Sequence, residues 1–251
     1  MKKDTSWGGV ATWYDKHLEN DNTYHAQVVA PNLLRVVDLK QNESLLELGC
    51  GQGFFLEKFL EISNNVTGVD LGKSLIDIAK NNLPAKARLF VGNAEDGTIL
   101  KGEKFDAITV VLAIQNMKNL NAVVQNFKRL LKDDGRVCIV INHPTFRIPK
   151  SSSWGIDTEN KIQYRRVDSY MSEQEVGIDM TPGSKTGKQM TVSYHRPLQV
   201  YSKAFGKEGF AITKIEEWIS HRKSEKGPHA KAEDKARKEI PLFMCLVLKK
   251  I

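Results

Sequence analysis

Three glycines at alternate positions, followed by a single acid, form the part of this sequence best suited to binding a ligand. Gly49, Gly51 and Gly53 follow the apolar run at 45–48, and Asp70 lies 17 residues beyond Gly53. Glycine is needed where a ligand approaches the backbone closely or where φ is positive, so this loop predicts a small molecule lying against it. An acid at the position of Asp70 can accept hydrogen bonds from both hydroxyls of a ribose.

The hydrophobic pattern predicts the elements that position these residues. Residues 45–48 read as a short buried strand, and residues 54–61 continue as a helix after the glycines. Residues 66–69 read as a second buried strand, which places Asp70 at its carboxyl end. A strand, a glycine turn, a helix and a second strand are the opening of a βαβ unit.

The glycine spacing separates two classes of cofactor. A dinucleotide fingerprint is GxGxxG, whose third glycine lets the helix pack close to a pyrophosphate, but Phe54 stands at that position here. The loop fits GxGxG preceded by Glu47, which suits a ligand without a phosphate. ELGCGQG followed by VTGVD resembles motif I and the second-strand acid of the class I S-adenosylmethionine (SAM) dependent methyltransferases.

The resemblance implies contacts with SAM along the sheet edge and from the N-terminal segment. GNAED, after the third predicted strand, resembles a GDAED stretch whose acid accepts a hydrogen bond from the adenine amino group. Asn93 replaces that acid, and its side-chain oxygen can still accept. An N-terminal aromatic residue can cap the methionine moiety in this family, although anchoring the helix to the core is an open alternative. The implied cofactor-binding residues are Tyr14, Tyr24, Glu47, Gly49, Cys50, Gly51, Gly53, Asp70, Leu71, Asn93, Ala94, Glu95 and Leu112.

Further strands and helices complete an α/β pattern. Apolar runs predict strands at 88–91, 105–113 and 136–141, alternating with helices at 71–82 and 121–131, and a turn at 133–135. A helix at 198–207 and strands at 211–216 and 243–248 follow. The resemblance implies a Rossmann-like, mostly parallel seven-stranded sheet of order 3-2-1-4-5-7-6 with the last strand antiparallel. It covers residues 40–142 specifically and residues 195–250 loosely.

The chain is predicted to have four segments. Residues 1–40 form a helical cap broken near Pro31, 41–142 the SAM-binding core, 143–196 a lid, and 197–251 the rest of the core sheet. A structureless loop as long as the third segment would be implausible in a compact domain. Its alternating stretches predict a small antiparallel insertion with a hairpin turn at 181–187.

Two histidines flank the lid and are candidate catalytic residues. Methyl transfer is an in-line displacement with a neutral thioether as leaving group, so a general base is needed only if the acceptor is a protonated oxygen or nitrogen. His143, just beyond the fifth strand, is the first candidate because the pKa of imidazole is near neutrality. His195 is the second. A structural hydrogen-bonding role is the alternative for His143.

Composition and charge limit the possible partners and the location of the protein. The chain has 251 residues and a net charge of +7, all of it in residues 143–251, which carry 20 Lys and Arg against 13 Asp and Glu. No apolar run approaches the roughly 18 residues of a membrane span, and the first residues lack the apolar region of a signal peptide, so we expect a cytoplasmic protein. The three cysteines indicate buried thiols, and no Cys/His spacing indicates a metal site.

The sequence therefore predicts a methyltransferase that transfers a methyl group from SAM to an O, N or C atom of a small molecule, leaving S-adenosylhomocysteine. An RNA acceptor, favoured by the basic second half, is the alternative within the enzyme class. A SAM-binding sensor without activity is the alternative outside it. We expect a monomer or homodimer with no membrane partner, and the sequence does not identify the acceptor.

Overall fold

The computed structural model describes residues 22–180 and 190–251. The central sheet is built from strands early and late in the chain, and two hairpins lie between them. In chain order the strands are β1 (Leu45–Leu48), β2 (Val66–Asp70), β3 (Arg88–Val91), β4 (Phe105–Val111), β5 (Leu131–Asn142), β6 (Ser152–Asp157), β7 (Ile162–Val167), β8 (Gln174–Asp179), β9 (Met190–His195), β10 (Phe210–Trp218) and β11 (Phe243–Lys250).

The central sheet has seven strands in the order β3-β2-β1-β4-β5-β11-β10. Strands β1 to β5 pair in parallel, whereas β11 runs antiparallel to both β5 and β10. The predicted order and the antiparallel last strand are confirmed. Parallel strands place all their carboxyl ends at one edge, where open α/β sheets bind ligands.

Helices cover both faces of this sheet, which explains why its central strands β1, β2 and β4 are buried along nearly their whole length. One face packs on α1 (Ala30–Val37), α2 (Phe54–Leu60) and α3 (Lys73–Asn82), and the other on α4 (Leu120–Leu130) and α5 (Leu198–Lys207). A sixth helix, α6 (Ala230–Glu239), packs on β7. Along β1 the two faces alternate, because Leu45 joins the first core cluster while Leu46 and Leu48 join the second.

The helix before β1 differs from prediction at Pro31. A π-helical turn, His25–Val29, leads directly into α1, and Pro31 lies in the first turn of α1 rather than breaking the helix. Proline is tolerated there because first-turn amides have no partner within the helix. The part of the predicted helical cap before residue 22 lies outside the described residues.

The start of β5 also differs from prediction. The predicted turn at 133–135 is an irregular part of β5, where the register against β4 shifts between Phe105 and Ala107. Lys132 adds a side-chain contact with β4, since its ammonium lies 2.8 and 2.9 Å from the two carboxylate oxygens of Asp106. With Ser44 also donating to it, the pKa of Asp106 falls to about 2 although partial burial opposes the shift.

The lid predicted between β5 and α5 consists of two antiparallel hairpins, β6–β7 and β8–β9. Strand β9 packs on a short 3-10 turn, Ile114–Asn116, which follows β4. The second hairpin therefore lies over the carboxyl edge of the sheet. The predicted hairpin turn at 181–187 lies outside the described residues. Within the described ranges, no helix has the length and apolar character needed to cross a membrane.

Candidate active site

The glycine loop after β1 is fixed to the end of β2 and leaves one position open. The amides of Gly49 and Cys50 donate to the carbonyl of Val69 at 2.8 and 3.1 Å. Gly49, Gly51 and Gly53 have φ values of 75°, 55° and 89°, which favour glycine. A Cβ would lie 2.5 Å from Ala113 at Gly49 and 2.6 Å from Leu83 at Gly53, but no atom lies within 4 Å at Gly51. Only Gly51 of the three thus has room for a ligand above it.

Asp70 lies directly beside this open position. Its Oδ2 accepts a hydrogen bond from the Gly51 amide at 2.8 Å, and its Oδ1 accepts one from the Gly72 amide at 2.7 Å. Burial raises the pKa of Asp70, and these two amide donors oppose the rise. Each carboxylate oxygen has two acceptor sites, so Asp70 can accept further hydrogen bonds from a ligand. Leu71, the next residue, is exposed and adds an apolar surface.

Glu47 places an unpaired carboxyl group at the end of β1. The residue is 1% exposed, and its Oε2 has no hydrogen-bond partner among the described residues. Burial, and secondly the charge of Asp70, raise its pKa well above the usual range. A buried acid of this kind is suited to a cationic ligand, which would supply the missing countercharge. Cys50, also buried, has a raised pKa and is unsuited to act as a thiolate.

The loop after β3 is held by a residue that the sequence analysis missed. Asn126 of α4 is 1% exposed and donates to the carbonyls of Ala94 and Asp96 at 2.8 and 3.0 Å. Asn93 is exposed, and its Oδ1 accepts from the Glu95 amide at 2.9 Å, so the oxygen predicted to meet adenine closes a local turn. The sequence does carry one signal for Asn126, a polar residue beside Phe127 on the apolar face of a predicted helix.

A cavity of about 310 Å³ lies between the carboxyl edge of the sheet and the β8–β9 hairpin; we call it the lid cavity. It brings together residues from the sheet edge, the hairpin and the N-terminal helix. Its lining is Tyr24, His25, Leu112, Gln115, Asn116, Asn142, Arg147, Pro149, Ile178, Met180, Thr191, Ser193, Arg222 and Phe243. Leu112 has a positive φ of 52°, uncommon for leucine, as the chain turns out of β4. It precedes Ala113, which packs against Gly49, so the cavity adjoins the glycine loop.

Gln115 presents a buried hydrogen-bond acceptor beside this cavity. Its Nε2 donates to the Leu112 carbonyl at 2.8 Å, which fixes the orientation of the amide. The side chain is 9% exposed, and Oε1 has no hydrogen-bond partner among the described residues. A ligand with an O–H or N–H group would satisfy this oxygen.

Of the two N-terminal tyrosines predicted to cap the cofactor, Tyr24 lines the lid cavity and Tyr14 lies outside the described residues. The hydroxyl of Tyr24 lies 3.1 Å from the hydroxyl of Ser220, and its ring centroid lies 5.9 Å from that of Phe243. Tyr24 is therefore anchored to the core and exposed to the cavity at once.

Both candidate bases are occupied by hydrogen bonds within the protein. His143 is 3% exposed; its Nδ1 accepts from the amides of Thr145 and Phe146 at 3.2 and 3.3 Å. Its Nε2 therefore carries the proton and donates to Glu217 at 2.7 Å. Burial lowers the pKa of His143 despite Glu217. The Nε2 of His195, also buried, lies 2.8 Å from the carbonyl of Tyr170. His195 does not line the lid cavity but an adjacent crevice.

Part of the chain that builds this site resembles known proteins. Residues 46–139 match the model of the methyltransferase domain. The chain is 34% identical over 117 residues to a demethylmenaquinone methyltransferase of Lactococcus lactis, covering 43% of this chain and 46% of that one. It is 26% identical over 137 residues to a ubiquinone biosynthesis O-methyltransferase of Actinobacillus pleuropneumoniae, covering 50% and 57%. The chain thus matches about half the length of these curated relatives.

The fold has solved counterparts over nearly the whole chain. A SAM-dependent methyltransferase structure from Mesorhizobium loti superposes with a TM-score of 0.66 at 21% identity, covering 87% of this chain and 96% of that one. The family model covers the glycine loop, Asp70 and the loop after β3, whereas the lid lies outside it. Residues 46–139 thus match a methyltransferase domain, and the chain shares the fold and sheet order of solved SAM-dependent methyltransferases.

Proposed function

We propose that this protein transfers a methyl group from SAM to a small molecule bound in the lid cavity. The observation that carries the proposal is that two groups of residues able to bind a ligand lie at the same edge of the sheet. Gly51 and Asp70 offer space and unused acceptor sites, and Gln115, whose Oε1 has no partner among the described residues, lines the neighbouring cavity. Ala113, packed between Gly49 and the end of β4, joins the two halves.

The residues at the first of these features fit SAM. Asp70 would accept hydrogen bonds from the ribose hydroxyls above Gly51, and Glu47 would face the cationic part of the cofactor. Ala94 and Glu95 lie on the loop that Asn126 holds in place, which would receive the adenine. When bound, the cofactor supplies a methyl group on a sulfonium, whose departure as a thioether needs no proton.

The second feature fits a small acceptor. A volume of about 310 Å³ is at the lower end of the usual range for ligand pockets. Gln115 would orient the nucleophile through its O–H or N–H, and the β8–β9 hairpin would exclude water, so alignment is the main contribution of the chain to the rate. Two relatives are named for quinone methylation, but the lid lies outside the matched domain, so the acceptor here depends on the lid's own side chains.

For His143 we propose a structural role in place of general base. A base needs a free lone pair facing the acceptor, and the only lone pair of the neutral imidazole accepts from two backbone amides. The ring ties the root of the lid to β10 through Glu217, 74 residues away.

The first prediction concerns the ribose contact. Asp70→Ala should weaken SAM binding by about tenfold or more, because it removes charge-assisted hydrogen bonds. Calorimetry measures the affinity. Asp77→Ala, which removes an exposed carboxylate of α3 paired with Lys73, is the control and should bind SAM normally. Equal affinities in the two variants would contradict the assignment of Asp70.

The second prediction uses the pH dependence of Glu47. Because the folded-state pKa is raised, the acid destabilises the native state once pH exceeds the unfolded value near 4.5. Glu47→Gln should therefore raise the free energy of unfolding at pH 7.5 by roughly 1–2 kcal/mol, and this gain should vanish near pH 4.5. Urea unfolding at both pH values measures it.

The affinity for SAM shows whether Glu47 faces the cofactor or is only a buried structural acid. The same Glu47→Gln variant should bind SAM several-fold more weakly, since the countercharge is lost. Glu57→Gln, on the exposed surface of α2, is the control for both measurements. A stabilised variant with normal SAM affinity would mean that Glu47 does not face the cofactor.

The third prediction separates the two roles of His143. His143→Ala should lower the free energy of unfolding by roughly 1–3 kcal/mol, since it leaves buried donors unpaired. The loss should be largest above pH 6.5, because the pKa of His143 is lowered on folding and the wild type itself loses stability below that value. The pH profile of methyl transfer should keep its shape. A stable variant that loses a rising limb near neutral pH would restore the general base.

A further inference from the structure

A second cavity, of about 200 Å³, adjoins the lid cavity and is rich in arginine; we call it the arginine cavity. The two share Tyr24 and Arg147. The arginine cavity lies between the β6–β7 hairpin, α6 and the start of β11. Its lining is Tyr24, Phe146, Arg147, Trp154, Arg165, Ser220, Arg237, Ile240, Pro241 and Leu242.

Arg147, at the junction, has no anionic partner among the residues that the structure describes. No carboxylate lies within ion-pair distance of it there, and its guanidinium carbon lies 5.6 Å from the ring centroid of Phe243. Burial, and to a lesser extent the charge of Arg165, lower the pKa of Arg147. Arg136, by contrast, lies 2.7 Å from the carboxylate of Glu43. Arg147 is half-buried, and a guanidinium partly withdrawn from water gains from pairing with an anion, so Arg147 is suited to bind one.

The other two arginines of this cavity are held in place without full neutralisation. Arg165 donates to the carbonyl of Phe146 at 2.6 Å and to the hydroxyl of Ser152 at 2.7 Å, and both partners are uncharged. Arg237 donates to the hydroxyl of Ser224 at 3.3 Å and reaches Glu233 only at 3.9 Å.

Neither cavity is lined by Asp or Glu in the described ranges, and the lid cavity adds Arg222. Guanidinium groups fixed in this way match the geometry of carboxylate and phosphate. The remaining walls are aromatic or aliphatic, from Trp154, Ile240 and Leu242, which suits an apolar part next to the anion.

Resting on the proposed function, we propose that the methyl acceptor carries an anionic group, a carboxylate or a phosphate, which Arg147, Arg165 and Arg237 bind in the arginine cavity. The acceptor spans both cavities. Its nucleophilic O–H or N–H lies near Gln115, and its anion lies beyond Arg147. Three of the 20 Lys and Arg residues of the second half would thus serve recognition of a small anion rather than of RNA.

Calorimetry with the full chain tests this, using three matched probes in the presence of S-adenosylhomocysteine. Phenyl phosphate and benzoate carry the two candidate anions on one ring, and benzyl alcohol is the neutral control. We expect at least one anion to bind about tenfold or more tightly than the alcohol. The anion that binds more tightly identifies the class. Anions that bind no better than benzyl alcohol, or fail to bind at all, would overturn the proposal.

Variants locate the binding. Arg147→Gln and Arg165→Gln should each weaken binding of the anion by about tenfold or more and leave the affinity for benzyl alcohol unchanged. Arg166→Gln is the matched control, because Arg166 neighbours Arg165 on β7 but is exposed and paired with Asp168. Equal anion affinity in all three variants would refute the site. If Arg147→Gln fails to fold, Arg165→Gln against Arg166→Gln decides the question.

The same titrations distinguish this inference from the proposed function. A chain that does not bind S-adenosylhomocysteine would contradict the proposed function itself. A chain that binds it but does not discriminate between anion and alcohol would contradict the anionic acceptor alone.

Discussion

The carboxylate of Asp70 is the interaction on which the site depends. It accepts amide hydrogen bonds from Gly51, in the loop after β1, and from Gly72, which precedes α3. Two loops from different parts of the chain are thus fixed to the end of one strand. The N-terminus of α3 adds a partial positive charge that favours the ionised form against the cost of burial. Any ligand that spans the sheet edge would meet a surface that is already organised.

In the proposed function, two parts of the chain share the chemistry. Residues 46–139, the region matched by the family model, would form the cofactor half. The two lid hairpins and α6, which packs on β7, would form the acceptor half. Buried polar contacts hold this second half to the sheet: His143 to Glu217, and Arg196 to the carbonyls of Met117 and Lys118 at 2.8 Å each. A constant cofactor half with a separately supported lid would allow the acceptor to differ between relatives.

The parts of the fold that depend on local pattern were predictable. The strand order followed from resemblance, and the strand positions from apolar runs that are covered by helices on both faces. The glycine loop and Asp70 were visible because ligand approach demands particular residue types. The predicted break near Pro31 was wrong, because Pro31 falls in the first turn of α1, and only the structure shows this position.

The remaining features of the site depend on partners distant in sequence. Asn126 acts on a loop about 30 residues earlier, and the role of His143 depends on Glu217. Arg147 stands out because the described residues around it lack a carboxylate, which no local pattern reveals. A basic second half was evident in the composition, but the meeting of three of its arginines at one cavity depends on the lid, α6 and the start of β11 coming together.

A crystal structure of the protein with S-adenosylhomocysteine would show directly where the cofactor lies. We expect the ribose hydroxyls to contact Asp70 above Gly51, with the adenine on the loop held by Asn126. The sulfur should then face the lid cavity beside Gln115. A product molecule bound elsewhere, or bound with its sulfur directed away from that cavity, would contradict the account.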